Sequence, residues 1–131
     1  MTDTIRSFRE LFVWQKSMDL AVRTYRVAQH LPRDDRPVLG YQLRKSSLSM
    51  PSNIAEGFSR HSTPHYIQHL WTAHASGAEL ETQIELGQRL DLIVATQADL
   101  LIRDAQEIAR MINGLVGSLE RSEQERLTRK R

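Results

Sequence analysis

Residues 39–58 read LGYQLRKSSLSMPSNIAEGF. Apolar or small side chains recur in this segment at steps of three or four residues, the spacing of one face of an α-helix. These positions, which we call the seam of the helix, are Leu39, Leu43, Ser47, Met50, Ile54 and Phe58. Three further segments repeat the spacing, and the period-two alternation of a half-buried strand is absent. Because short loops make successive helices antiparallel, the sequence predicts an all-α, up-down-up-down four-helix bundle.

Proline and polar residues separate the four predicted helices. Pro32 ends the first helix, and Pro37 suits the first turn of the second, where its missing N–H is not needed. Thr63 is predicted to cap the third helix, and Thr96 the fourth. The predicted seams of the other helices are Leu11, Trp14, Met18, Ala21, Tyr25 and Ala28; Tyr66, Leu70, Ala73, Gly77, Leu80, Ile84 and Gly87; and Leu101, Ala105, Ile108, Ile112, Leu115 and Leu119.

Two helices carry a second apolar edge outside the predicted seam. On the first helix it consists of Val13, Leu20, Val22 and Val27, and on the third of Ile67, Trp71, Ala75, Ala78 and Leu86. A helix in a monomeric bundle needs one apolar stripe about 100° wide. The extra edges therefore predict a second buried surface, and self-association is its simplest use.

The second helix contains a proline and a polar stripe. Pro51 removes one backbone hydrogen bond, so we expect a kink. The stripe consists of Gln42, Ser46, Ser49, Asn53, Gly57 and Arg60. Small residues allow helices to approach closely, so we predict that Ser49, Pro51, Asn53, Glu56, Gly57 and Arg60 form a structural interface. A nucleophilic serine would need a base and an orienting group, and no motif fixes either beside Ser49 or Ser52, so no enzymatic activity is expected.

Length and composition fit one domain over residues 1–131, with a flexible segment 1–7 and a basic tail 123–131. The chain has no cysteine, which excludes disulfides and thiolate chemistry. It has no signal-like apolar start and no apolar run near the ~20 residues that cross a bilayer. A cytoplasmic protein without a membrane partner is expected.

Charge is unevenly distributed along the chain. The net charge of +2 combines +4 over residues 1–60, −6 over 61–125 and +4 over 126–131. Separated charge favours association between subunits, an anionic partner, or solvated helix faces. The candidate nucleic-acid contacts, which would bind backbone phosphates, are Arg44, Lys45, Arg60, Arg126, Arg129, Lys130 and Arg131.

Three histidines, His61, His65 and His69, are spaced by four residues. Two imidazoles on one helix face can hold a metal ion, but no carboxylate or thiolate completes the set within a turn. We expect surface or interface histidines, and neither a metal nor another cofactor.

Several motifs together resemble a known family. They are FVWQK at 12–16, LP at 31–32, QLRK at 42–45, SMPSNIAEGFSR at 49–60 and ELETQ at 79–83. The chain is similar over residues 8–119 to the 23S rRNA intervening-sequence proteins, first noticed as reading frames within bacterial 23S rRNA genes, and to the accessory protein of diversity-generating retroelements. The resemblance implies a four-helix protomer, a ring-like homopentamer and no enzymatic activity. The retroelement relative binds nucleic acid beside a reverse transcriptase.

Some positions depart from the family pattern. Gly40 stands where a Thr or Ser cap is common, Ala75-Ser76 replaces Gly-Ser, and His65 and His69 occupy positions that are commonly acidic and aromatic. The sequence therefore predicts a non-enzymatic homo-oligomeric bundle that binds nucleic acid or a ribonucleoprotein through basic patches. The alternative is a protein-interaction scaffold with no nucleic-acid role.

Overall fold

The computed structural model describes residues 4–129. A short 3₁₀ turn, Phe8–Glu10, precedes helix α1, Phe12–Gln29. A π-helical turn, Arg36–Gly40, leads directly into α2, Tyr41–Ser59. Helices α3, Thr63–Arg89, and α4, Ala95–Arg129, follow. Over residues 4–129 every regular element is helical.

The four helices form one antiparallel bundle. α1 packs against α2 and α4, and α3 packs against the same two helices. Sequence neighbours are therefore spatial neighbours around a square, and α1 and α3 lie on one diagonal. The predicted up-down-up-down four-helix bundle is confirmed. None of the helices within residues 4–129 has a stretch both long and apolar enough to span a bilayer.

The predicted seams of α2 and α3 form the core. Leu43, Met50 and Ile54 of α2 are fully buried, as are Leu70 and Leu80 of α3. In α4 the seam shifts by one residue near its end, because Val116 is buried and Leu115 and Leu119 are half-buried. A straight α-helix drifts by about 20° per heptad relative to a strict 3.5-residue repeat, which accounts for the shift.

The predicted seam of α1 was only partly right, because it contains the buried Leu11, Ala21 and Ala28 together with exposed residues. Its buried positions include Val13, Ser17, Leu20, Thr24 and Val27, whereas Met18 and Tyr25 are exposed. Valine and leucine recur here every seven residues, with a small hydroxyl residue between them, so the core stripe looks polar in the sequence. The second edge predicted for α1 is therefore largely core, since Val13, Leu20 and Val27 are buried and only Val22 is exposed.

Thr24 is a buried polar residue with an unsatisfied hydroxyl. Its Oγ1 has no hydrogen-bond partner among the described residues. We expect Thr24→Val, which has the same shape, to raise the free energy of unfolding by about 1 kcal/mol, because the desolvated hydroxyl disappears. Denaturant titration measures the change. Thr82→Val is the matched control, since Thr82 is an exposed helical threonine whose Oγ1 donates to Ala78 O. A loss of stability in Thr24→Val would contradict this account.

The starts of the helices differ slightly from prediction. Ser62 rather than Thr63 precedes α3, and its side chain makes no capping hydrogen bond. α4 begins at Ala95, one residue before the predicted cap Thr96. Gly40 does not cap α2: its N–H donates to Asp35 O at 3.0 Å, so the π turn continues into the helix and no cap is required.

Ser7, in the segment predicted to be flexible, and residues 123–129, in the predicted tail, take part in regular structure. Ser7 and Glu10 form a reciprocal capping box around the 3₁₀ turn, with Glu10 accepting from the Ser7 N–H at 2.8 Å. Helix α4 continues to Arg129, so residues 123–129 are helical. Residues 1–3, and Lys130 and Arg131 of the candidate nucleic-acid set, lie outside the described residues.

Candidate functional site

The polar stripe of α2 lies against α3. Ser49 Oγ is 2.7 Å from Ser76 Oγ across the two helices. Asn53 Nδ2 donates to Ser49 O at 2.9 Å and to Ser49 Oγ at 3.0 Å. Asn53 Oδ1 is 3.1 Å from His69 Nδ1. The stripe therefore fixes the register of α2 on α3 by a chain of hydrogen bonds.

Glu56 extends this chain toward solvent. Its Oε1 is 3.8 Å from His69 Nε2 and 3.5 Å from an Arg60 guanidinium nitrogen. Both Glu56 and Arg60 are exposed, so the pair with Arg60 contributes little stability by itself. His69 is the central residue, because it contacts both Asn53 and Glu56.

Gly57 lies where α2 and α3 approach each other closely. A Cβ at this position would lie 2.8 Å from His69 Cβ and 3.1 Å from Tyr66 Cδ1. Phe58 packs edge-on against Tyr66, with ring centroids 6.0 Å apart, and burial raises the pKa of the Tyr66 hydroxyl to about 12. Only glycine fits here without movement of a neighbouring helix.

The motif therefore packs two helices of one chain against each other. The partners of Ser49 Oγ are a serine hydroxyl and an amide, and neither is a base. Pro51 is buried on the α1 side of α2, and α2 continues as a helix on both sides of it. Ser52 is exposed.

The three histidines do not converge. His69 is directed at Asn53 and Glu56, whereas His61 and His65 are exposed. Over residues 4–129 no three His, Asp or Glu side chains are grouped as a metal site would require.

An apolar groove lies between α1 and α2 on the surface of the bundle. It has a volume of about 660 Å³ and is floored by Ala21 and Pro51. Its large apolar side chains are between 39 and 52 % exposed: Met18, Val22, Tyr25 and Leu48. Three arginines border it: Arg26, Arg36 and Arg44. Contiguous exposed apolar surfaces are typical of interaction sites in proteins.

The outer face of α3 is a second exposed apolar surface. Trp71, Ala75, Ala78 and Leu86 are exposed, as predicted for an edge outside the seam, while Ile67 is half-buried. Glu79 and Glu85 are exposed beside them. Because α3 packs on α2 and α4, this face lies on the side of the bundle away from α1.

The candidate basic residues separate into two groups. Arg44 and Lys45 lie in the first turns of α2, and Arg44 borders the groove together with Arg26 and Arg36. Arg60 follows the end of α2, about 24 Å away along the helix axis.

The second group consists of Arg60 and the basic residues of the tail, and its described members, Arg60, Arg126 and Arg129, are each paired with an acid three or four residues away. A nitrogen of Arg126 is 2.6 Å from Glu123 Oε1, a hydrogen bond that raises the pKa of the guanidinium, and Arg129 is 3.7 Å from Glu125 Oε2. Arg60 pairs with Glu56. Among the described candidate residues, the cations without an ion pair, Arg44 and Lys45, therefore lie at the α1–α2 end.

Some of the basic residues of the first half of the chain form ion pairs with acidic residues of the second half within the same bundle. Lys16 of α1 is 2.7 Å from Glu107 of α4, and Arg23 pairs with Asp104. The basic first half and the acidic second half of the chain therefore meet already within one bundle.

The helices and surfaces define an all-α, four-helix bundle protein with two exposed apolar faces. The chain belongs to the 23S rRNA-intervening sequence protein family, whose sequence model matches residues 9–114. The resemblance to this family is confirmed.

Among solved structures, the chain is similar to a protein of unknown function from the S23 ribosomal protein family of Bacteroides thetaiotaomicron. The TM-score is 0.75 at 27 % sequence identity, over 79 % of this chain and 97 % of that one. The comparison with curated proteins finds no match.

Proposed function

We propose that this protein is a non-enzymatic, homo-oligomeric four-helix bundle that docks onto nucleic acid or a ribonucleoprotein through basic surface. The observation that carries self-association is the pair of exposed apolar faces, one between α1 and α2 and one on α3. Two exposed apolar faces on one small domain disfavour a monomer in water. Packing against other copies would remove both faces from water. The family resemblance supports a ring of five.

Self-association is tested by the mass of the protein in solution. We expect light scattering after size exclusion to give a multiple of the 15.1 kDa chain mass at micromolar concentration. Val22→Asp should yield a monomer with unchanged helical circular dichroism, because it places a charge in the apolar groove. Val94→Asp, in the exposed α3–α4 loop, is the control and should retain the assembly. A wild-type protein of 15.1 kDa would contradict self-association.

Nucleic-acid binding is supported by unpaired positive charge at the α1–α2 end. Arg26, Arg33, Arg36, Arg44 and Lys45 make no ion pair with any residue between 4 and 129. Asp34 and Asp35 in the adjoining loop offset part of this charge. Phosphate contacts need only such cations, and a ring would present several copies of the patch together.

Salt dependence tests this binding. We expect the affinity for an RNA hairpin or a DNA duplex to fall steeply from about 50 to 200 mM salt, because binding releases counterions. Arg33→Ala/Lys45→Ala should lower the slope of log affinity against log salt on duplex DNA by up to about 0.9 for each phosphate interaction that is removed. Arg60→Ala is the control, since Arg60 is paired with Glu56. Removal of residues 126–131 should have a smaller effect than the double substitution.

The scaffold alternative makes the opposite prediction. Its charges serve assembly and solubility, so neither ligand should bind even at low salt. An assembly that leaves both ligands unbound would therefore favour the scaffold over a nucleic-acid role.

A further inference from the structure

We infer that the outer face of α3 in one protomer seats in the α1–α2 groove of another, with Trp71 on the apolar side chains of the groove and Glu79 beside Arg26 and Arg44. This inference rests on the self-association proposed above and deepens it by naming the two faces that meet.

The groove offers an apolar surface on which an aromatic ring can pack. Met18, Val22 and Leu48 expose their side chains around the buried floor of Ala21 and Pro51. An aromatic side chain such as tryptophan gains burial free energy on such a surface, because it removes roughly 150–250 Å² from water. The apolar lining also disfavours a phosphate backbone as the occupant of the groove.

The α3 face presents one large side chain on a flat surface. Trp71 is 43 % exposed, and Ala75 and Ala78 follow it on the same line of the helix. The edge of the His74 ring packs on Trp71, with centroids 5.5 Å apart, and orients the indole. The alanines beyond the indole allow a neighbouring helix to approach closely.

The two faces carry unused charges of opposite sign. Arg26 and Arg44 make no ion pair with any described residue, and neither does Glu79. Docking the faces would give all three a partner at the rim of the contact, where complementary charge sets orientation, and would leave Arg33 and Lys45 for the proposed phosphate contacts.

The spacing of apolar and charged groups also matches. Met18 and Arg26 are eight residues apart on α1, as are Trp71 and Glu79 on α3, and each interval corresponds to about 12 Å along a helix. When α3 of one copy is aligned parallel to α1 of the next copy, Trp71 can therefore lie near Met18 while Glu79 lies near Arg26. Because the α3 face lies away from α1, the contact is head-to-tail, as in a closed ring.

Charge reversal on each face tests the pairing. We expect Glu79→Arg to weaken association at least about tenfold, because three cations would then meet at the rim. Arg26→Glu/Arg44→Glu should weaken it similarly, since three carboxylates would meet. Combining all three substitutions in one chain should restore the wild-type mass by light scattering. Arg110→Glu, an exposed and unpaired position on α4, is the charge-matched control.

The outcomes separate this inference from the proposed function. A monomeric wild-type protein would overturn both. An oligomeric wild type whose mass survives both reversals would overturn the pairing and leave self-association standing. Reversals that dissociate the protein without recovery in the triple variant would show that these faces do not meet each other. Circular dichroism and thermal melting of each variant verify that the bundle is folded, and Trp71→Ala, which changes no charge, should weaken association as well.

Discussion

Truncating Leu80 or Ile54 to alanine is expected to lower the free energy of unfolding by about 2–5 kcal/mol. Both side chains are completely buried, Leu80 on α3 and Ile54 on the facing α2. Each substitution removes apolar contacts and leaves a cavity that the rigid helices refill only partly. Denaturant unfolding followed by circular dichroism measures the loss.

Two precautions make the measurement specific to the core. Leu86→Ala on the same α3 helix is the control, because Leu86 is exposed and should change the stability of a protomer by less than about 0.5 kcal/mol. Unfolding at several protein concentrations separates the stability of the protomer from that of an assembly, which depends on concentration. Losses below about half a kcal/mol at both Leu80 and Ile54 would show that this core is misassigned.

Replacing Gly57 with alanine is expected to destabilise the bundle by about 2 kcal/mol through overpacking. The new Cβ would sit 2.8 Å from His69 Cβ, an atom held next to the α3 backbone, so the helices must separate. Separation would also lengthen the contact between Asn53 and His69. Thermal and denaturant unfolding measure the loss.

Gly114 provides a matched control for Gly57. It also lies within a helix, but a Cβ there meets no atom within 4 Å. Gly114→Ala should therefore raise stability by about 0.5–1 kcal/mol, because alanine favours the helix. Changes of opposite sign in the free energy of unfolding would show that the close contact between α2 and α3 requires glycine at position 57. Equal, stabilising effects at both positions would contradict it.

Sequence periodicity predicted three of the four core faces. In α2, α3 and α4 the large apolar residues stand on one stripe, so the spacing identifies the buried side. α1 has two stripes of similar apolar content, and the buried one contains Ser17 and Thr24. Ser17 Oγ donates to Val13 O at 2.7 Å, so its hydroxyl is satisfied within the helix and can enter the core. The period alone cannot distinguish such a stripe from a polar face.

The site was predicted in part. The polar stripe of α2 was recognised as a close helix contact, but its partners Ser76 and His69 are distant in sequence and no spacing rule connects them with Asn53. The sequence itself indicates the ion pairs of Arg126 and Arg129, because glutamates precede these arginines by three and four residues on the same helix. The groove could not be predicted from the sequence, because it is formed by the outward sides of two helices that come together only in the folded bundle.

The short loop between α2 and α3 bears on the order in which the bundle forms. Asn53 and His69 are separated by 16 residues, whereas Lys16 and Glu107 are separated by 91. Bringing the more distant pair together costs about 1.5 kcal/mol more loop-closure entropy in a disordered chain. The α2–α3 hairpin, with its hydrogen-bonded register, is therefore a more accessible nucleus for folding than the contact between α1 and α4, which must close almost the whole chain.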